Sequence, residues 1–363
     1  MTGVAPLRVA VIGCGNISGE YLGTLSAAPT VEVAWCADLD RAAAARQAQR
    51  YGVGRHGLPA EALADDGVEL VVNLTSPAAH APVAKAALEA GKHVWNEKPL
   101  ATDLAASAAL LALAEQRGLR LGCAPDTVLG PGLTAVRELI AAGGIGTPLT
   151  ALTLMQGPGP DVWHPNPAFF FQPGAGPLFD MGPYYLTTLA LLFGPAERAV
   201  SVARTSRPSR TVANGPLAGT TVPVAVPTHV SGMVEYASGA AATMIFSFDS
   251  PLNRHGFVEI TGSEATLALP DPNAFGGTIT RWPLGADTPE VIEAPAAGNH
   301  RGIGVLDMGA AIRAGVPHQA GGDLAHHVLE VMCALDRSAT EGRFVPITST
   351  FPAPPVRSTT LRR

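Results

Sequence analysis

The sequence predicts an α/β protein. An N-terminal doubly wound parallel sheet of the Rossmann type is followed by an α+β domain with a large, open, mainly antiparallel sheet. Three observations carry this expectation. Short apolar runs alternate with alanine-rich helical stretches from Arg8 to Cys123. The first run empties into a glycine loop, and beyond Cys123 the alternation stops and gives way to period-two strands. A chain of 363 residues accommodates two domains. We place them at 1–123, for a dinucleotide, and 124–363, for substrate and oligomerisation, with C-terminal helices packing back.

Arg8 to Ile12 is a β-branched run, the pattern of a strand buried on both faces. It leads into Gly13-Cys14-Gly15-Asn16-Ile17-Ser18 and then a helix through Tyr21, Leu22 and Leu25. Gly13 allows the tight turn, Gly15 lets backbone approach a pyrophosphate, and the helix start offers N–H groups to phosphate oxygens. Ser18 stands where the strict fingerprint has a third glycine. The next strand, Val31 to Ala37, ends at Asp38, close to the distance of about 20 residues expected for the acid that bonds the adenosine ribose. A carboxylate there repels a 2′-phosphate and favours NAD over NADP, a preference that nearby Arg41 softens. Asp38 is also suited to capping the following helix, a task Asp40 can take instead.

Val68 to Leu74 is a third buried strand, and Thr75-Ser76-Pro77 at its carboxyl end borders the nicotinamide half of the cofactor. His80, at the start of the helix behind, reads equally as a ligand contact or as a capping and packing residue. The strand His93 to Trp95 runs into Glu97-Lys98-Pro99, which sets a lysine on a stiff turn at a strand end. An isolated Lys-Pro reads as a surface lysine; the cofactor loop upstream changes that reading.

Gly13-x-Gly15-Asn16-Ile17, Thr75-x-Pro77-x-x-His80 and Glu97-Lys98-Pro99, in this order and spacing, resemble the glucose-fructose oxidoreductase / inositol dehydrogenase (Gfo/Idh/MocA) family. The resemblance implies a lysine, here Lys98, that contacts both the nicotinamide ribose and the substrate. It implies an open sheet in the second domain, and redox chemistry at a hydroxyl or ketone of a sugar, cyclitol or related polyol. The cofactor residues it points to are Gly13, Gly15, Asn16, Ile17, Asp38, Thr75, Ser76, Pro77, His80, Glu97 and Lys98.

In the second half, Ala124-Pro125-Asp126 replaces the Asn-Arg pair of many relatives, leaving Asp126 to make polar substrate contacts or simply a turn. A helix is expected over Gly132 to Ala142 and a strand over Leu149 to Met155. The loop that follows keeps Trp163-His164-Pro165-Asn166-Pro167, too aromatic for a linker. Trp163 suits stacking on a sugar face, and His164 or Asn166 suits bonding hydroxyls; a packed structural loop is the plainer alternative. Asp180 matches an aspartate of the family, and Tyr184 stands where relatives commonly carry a proton-shuttling histidine. The resemblance therefore gives Lys98, Asp180 and Tyr184 the catalytic roles, while Tyr185 reads as a core residue. A helix is expected over Leu186 to Phe193, strands dominate from Ala199, and Thr205 to Pro227 reads as an exposed excursion. Two helices, Ile303 to Ala314 and Leu324 to Leu335, close the chain, with His326 and His327 packing or capping the second.

With 47% apolar and 15% charged residues the chain can bury a sizeable core. A net charge of −6 gives no footprint for nucleic acid. The start Met1-Thr2-Gly3 lacks a secretory pattern and no run spans a membrane, so a cytoplasmic protein is expected. Cys14, Cys36, Cys123 and Cys333 are scattered, which suggests neither metal site nor disulfide. An uncovered apolar sheet face predicts a homo-oligomer, dimer or tetramer. Two alternatives accompany the dehydrogenase reading. One is a tightly held NAD that oxidises a sugar transiently during glycoside cleavage or internal transfer; the other is a non-catalytic sensor that keeps the cofactor fold.

Overall fold

The computed structural model describes residues 5–295, 297–298 and 300–352, so the opening Met1-Thr2-Gly3 lies outside the described residues. Two units make up the chain. The first ends at Gly130 and takes back Gly298–His326; the second starts at Pro131, runs to Ala297 and resumes at His327.

The first unit has six strands: β1 (Leu7–Ile12), β2 (Val31–Ala37), β3 (Arg55–Gly57), β4 (Leu70–Asn73), β5 (His93–Asn96) and β6 (Leu121–Cys123). They form one parallel sheet in the order β3-β2-β1-β4-β5-β6. The helices between them are α1 (Ser18–Ala27), α2 (Arg41–Tyr51), α3 (Pro59–Leu63), α4 (Pro77–Glu89) and α5 (Leu104–Arg117). Val9, Val11, Ile12, Val71 and Val94 are fully buried, as continuous apolar strands covered on both faces must be. Asp40 caps α2 by accepting from the Ala42 amide, and Asp103 caps α5 by accepting from Ala106. The Rossmann sheet is as expected; β3 and α3 are too short to leave a periodic signal in sequence.

In the second unit α6 (Pro131–Ala141), β7 (Pro148–Gln156), α7 (Gly176–Phe193) and β8 (Ala196–Arg204) come first. The short strands β9 (Ser209–Thr211) and β10 (Thr221–Pro223) pair with each other. Then follow β11 (His229–Tyr236), β12 (Ala241–Ser247), β13 (Arg254–Gly262), β14 (Ala265–Ala268), β15 (Thr278–Pro283) and β16 (Glu290–Glu293). The chain closes with α8 (Ile303–Ala314), which belongs to the first unit, then α9 (Gly322–Glu341) and β17 (Val345–Pro346). The nine-stranded sheet has the order β16-β15-β14-β13-β7-β12-β11-β8-β17, antiparallel except for the β12–β7 pair. Helix α7 packs on β7, β11 and β12. In-register neighbours Val202, Ser231, Ile245, Leu154 and Phe257 form a row across the sheet, beside Val200, Met233, Thr243 and Leu152. Val202, Met233 and Leu152 in these rows are exposed, 56%, 41% and 38% respectively.

Three sequence expectations change. Helix α7 starts at Gly176, not Leu186: Pro177 suits a first turn, and Pro183 inside the helix is overridden by packing. The excursion from Thr205 to Pro227 is not simply exposed, because Arg210 on β9 is buried. Asp126 keeps its segment with the first unit, since it accepts from the amides of Gly302 and Gly304 at the start of α8, at 2.6 and 3.3 Å.

Candidate active site

Strand β1 delivers the chain to Gly13, whose φ of +100° and crowding against Leu74 admit no side chain: a Cβ there would lie 2.6 Å from the Leu74 carbonyl carbon. Above Gly15 nothing lies within 4 Å of where a Cβ would stand, and Ile17 at the head of α1 makes no side-chain cap. Open space over a glycine and an uncapped ten-residue helix suit the diphosphate of a dinucleotide. Ser18 is buried and closes the turn by donating to the Gly15 carbonyl at 2.6 Å. The Asp38 carboxylate accepts from the Cys14 amide at 2.7 Å and from the Asp40 amide at 2.8 Å, which fixes it beside the glycine loop. The chain's own residues therefore fit NAD.

The Lys98 turn is braced from several directions within this unit. Asn73 and Asn96, both buried at the carboxyl ends of adjacent strands, bond each other at 2.6 Å. Asn73 Oδ1 also accepts from the Thr75 hydroxyl at 2.7 Å, and Asn96 donates to the Leu100 carbonyl. His80 is 1% exposed and its two ring nitrogens meet the carbonyls of Pro99 and Thr75, at 2.6 and 2.9 Å. The imidazole thus sits between the Thr75-Ser76-Pro77 turn and the Lys98-Pro99 turn; burial lowers its pKa, and the neutral ring donates to one of the two carbonyls. Glu97 is 8% exposed; its carboxylate accepts from the Lys98 amide at 2.9 Å and from the Tyr21 hydroxyl at 2.8 Å. Burial, together with Glu97 and Asp126, pushes the Tyr21 hydroxyl well above its usual pKa, so it stays a donor. Lys98 itself is half-buried between these fixed neighbours.

Expected ligand contacts for His80 and Asp126 give way to bracing roles. Both ring nitrogens of His80 face backbone carbonyls. Asp126 is fully buried and tied to α8, and burial lifts its pKa from 3.8 to about 6.

The second unit holds a cavity of about 550 Å³ at the carboxyl end of β7. Asp180 and Met181 of α7 line it, with Trp163 and Val162 from the aromatic loop, Asn253 just before β13 and His255 at its start. Trp163 is 60% exposed and meets His164 and Phe170 edge to face. His164 and Asn166 are not among the lining residues; His164 Nδ1 accepts from the Asn166 amide at 3.1 Å. Tyr184, one turn beyond Asp180 on α7, is 6% exposed and also absent from the lining. Tyr185 is buried, and its hydroxyl accepts from the Gly256 amide at 2.8 Å.

Sequence reasoning did not find Asn73, Asn96, Arg210, Asn253 or His255. Polar residues ending otherwise apolar parallel strands were the available signal for the two asparagines. Arg210 ties the cavity wall together: it donates to the carbonyls of Pro158 and Phe248, pairs with Asp249, and lies 3.5 Å from Asp161. The Asp161 contact is an ion pair too long or misaligned for a hydrogen bond. Among the described residues no group of three or more His, Cys, Asp or Glu is placed to hold a metal ion, and no helix is long and apolar enough to cross a membrane.

Known proteins agree with this architecture. Residues 7–124 match the oxidoreductase family with an NAD-binding Rossmann fold, and residues 133–268 match the GFO/IDH/MocA C-terminal domain. An uncharacterised oxidoreductase of Rhizobium meliloti is 29% identical over 93% of this chain and 98% of its own. Inositol 2-dehydrogenase 3 of Saccharopolyspora erythraea is 34% identical over 44% of this chain and 48% of its own. An NAD-binding oxidoreductase from Klebsiella pneumoniae superposes with a TM-score of 0.85 at 23% identity, covering 95% of this chain and 100% of that one. With an NAD-binding domain and the matching C-terminal domain on one chain, the protein belongs to the GFO/IDH/MocA family of oxidoreductases, dehydrogenases that act on CH–OH groups.

Proposed function

We propose that the protein interconverts a hydroxyl and a ketone on a ring carbon of a sugar, cyclitol or related polyol, using NAD. The observation that carries this reading is the Lys98 turn, held by Glu97, Asn96 and His80 and linked through Tyr21 to the helix that follows the glycine loop. Bound NAD supplies the hydride acceptor or donor. Lys98 polarises the reacting oxygen and stabilises the charge that builds on it. Asp180 orients the substrate through neighbouring hydroxyls, and Tyr184 moves the hydroxyl proton. Thr75, Ser76 and Pro77 border the nicotinamide, and Asn16 and Ile17 present amides to the diphosphate. The inositol dehydrogenase among the relatives supports a polyhydroxylated substrate.

NADH fluorescence across a panel of sugars, cyclitols and glycosides tests the reading. Reduction of NAD by at least one ring alcohol is expected, and silence across the panel with NAD bound would contradict it.

Asp38 favours NAD over NADP in this account. Asp38→Asn removes the charge and keeps one of the two amide contacts, since its single oxygen can accept from either Cys14 or Asp40, so the NAD:NADP ratio of kcat/KM should fall by about 10- to 100-fold, in line with a close charge pair at the surface. An unchanged ratio would remove Asp38 from cofactor selection.

The exposed apolar rows on the nine-stranded sheet support a homo-oligomer, dimer or tetramer. Light scattering that returns a monomer at micromolar concentration would overturn this. The cysteines are all thiols, three of them buried, which suits a reducing cytoplasm; stable disulfides in protein isolated from cells would count against it.

A further inference from the structure

We propose that Glu61 is a specificity-determining residue for the cofactor: it holds Arg41, the cation three residues beyond Asp38, and so withholds from a 2′-phosphate the partner that NADP needs. The inference rests on the reading that Asp38 meets the adenosine ribose, and deepens it by naming a second carboxylate that favours NAD.

The carboxyl ends of β2 and β3 form one corner of the first unit. Ala37 pairs with Gly57, and the Asp38 amide donates to the Gly57 carbonyl at 3.0 Å. The chain then turns into α3, which starts at Pro59 and brings Glu61 back to Gly57. A Cβ at Gly57 would collide with Glu61 Oε2 and lie 3.6 Å from Arg41 Nη1, so the carboxylate occupies the place a side chain would take. Glu61 Oε2 accepts from the Leu58 amide at 2.7 Å, and Oε1 accepts from Arg41 Nη2 at 2.8 Å. The backbone bond fixes the carboxylate and the carboxylate fixes the guanidinium. Arg41 and the Leu58 amide hold the Glu61 carboxyl below its usual pKa, so it is charged at neutral pH. Arg46 of the same helix is set against Asp40, at 3.7 Å.

An arginine near the acid at this strand end is the group that accommodates a 2′-phosphate in dinucleotide folds, by a bidentate, charge-assisted pair. Here one outer nitrogen of Arg41 is engaged and its charge is balanced by Glu61. A phosphate entering beside Asp38 competes with Glu61 for the guanidinium and is repelled by both carboxylates. The ribose hydroxyls of NAD ask nothing of Arg41. The side chains of Arg41 and Glu61 are 57% and 44% exposed, so theirs is a surface pair of modest strength. The selection it exerts is therefore graded, close to one order of magnitude.

Fluorescence titration with NADH and with NADPH tests this on the full chain without any substrate, so the result is independent of the reaction catalysed. The readout is the ratio of the NADPH Kd to the NADH Kd. Glu61→Gln should lower that ratio about tenfold, because glutamine carries no charge and its single oxygen serves only one of the two donors. Glu61→Asp, which keeps the charge, should stay within about threefold of the unmodified protein. In an Arg41→Ala background, Glu61→Gln should lower the ratio less than about threefold, a dependence that a purely structural role for Glu61 would not produce. A ratio that Glu61→Gln leaves unmoved, or moves equally with Arg41 absent, overturns the inference. Should Asp38→Asn shift the ratio while Glu61→Gln does not, the inference falls and the Asp38 reading stands. A shift with Glu61→Gln alone upholds the Arg41 pair and sinks the Asp38 reading.

Discussion

Lys98→Ala should lower kcat by about a hundred- to ten-thousand-fold, the range of a positioned proton-transfer or oxyanion-stabilising group. NAD affinity should move less than about tenfold, because the contacts proposed for the glycine loop and Asp38 are separate from Lys98. The size of the loss follows from how firmly the turn is held. Glu97 accepts from the Lys98 amide and the Tyr21 hydroxyl, and His80 is wedged between the Thr75 and Pro99 carbonyls. A side chain on so fixed a backbone loses little freedom when it acts, so removing it forfeits nearly all of its contribution. Lys98→Arg should recover little, because a planar guanidinium does not reproduce a compact ammonium. Fluorescence titration of NAD and initial rates on the same preparations check both halves. A fall in kcat below about tenfold would end the catalytic assignment.

Arg210→Met should destabilise the second unit by about 3–5 kcal/mol, the cost of leaving buried charges without their partner. Arg210 and Asp161 have side chains only 4% and 8% exposed, and Asp249 19%. Asp249 is also bonded by Ser206 at 2.6 Å and Thr228 at 2.7 Å and stays partly in contact with water, so removing the guanidinium leaves Asp161 as the buried anion without its cation. The same guanidinium holds the carbonyls of Pro158 and Phe248, both on the cavity wall, so substrate KM should rise together with the loss of stability. Urea unfolding gives the stability change, and adding Asp249→Asn to Arg210→Met should restore part of it. A shift under about 1 kcal/mol would show that the ion pairs are not sealed from solvent as the structure has them.

What could be read from sequence was local. The Gly13 turn, Asp38 at the end of β2 and the Lys98 turn all lie within one strand–turn–helix step, where residue type and spacing suffice. Long-range partners were out of reach. Asp126 meets the amides of Gly302 and Gly304 from the far end of the chain, and Arg210 meets Asp161 and Asp249 from a segment whose composition reads as loop. His255 becomes a cavity residue only because Gly157 lets it approach, a pairing no local pattern encodes. Helix α7 was half hidden because Gly182 and Pro183 are weak helix formers that its buried packing overrides. Asp180 therefore fell before the expected helix start, while it is a helical residue one turn before Tyr184.

A single turnover with a ring alcohol deuterated at its carbinol carbon tests the central claim most directly. The account predicts one equivalent of NADH released into solution with the deuterium on the nicotinamide, and loss of this product in Lys98→Ala. Unlabelled NADH, or product formed with no NADH released, would contradict it.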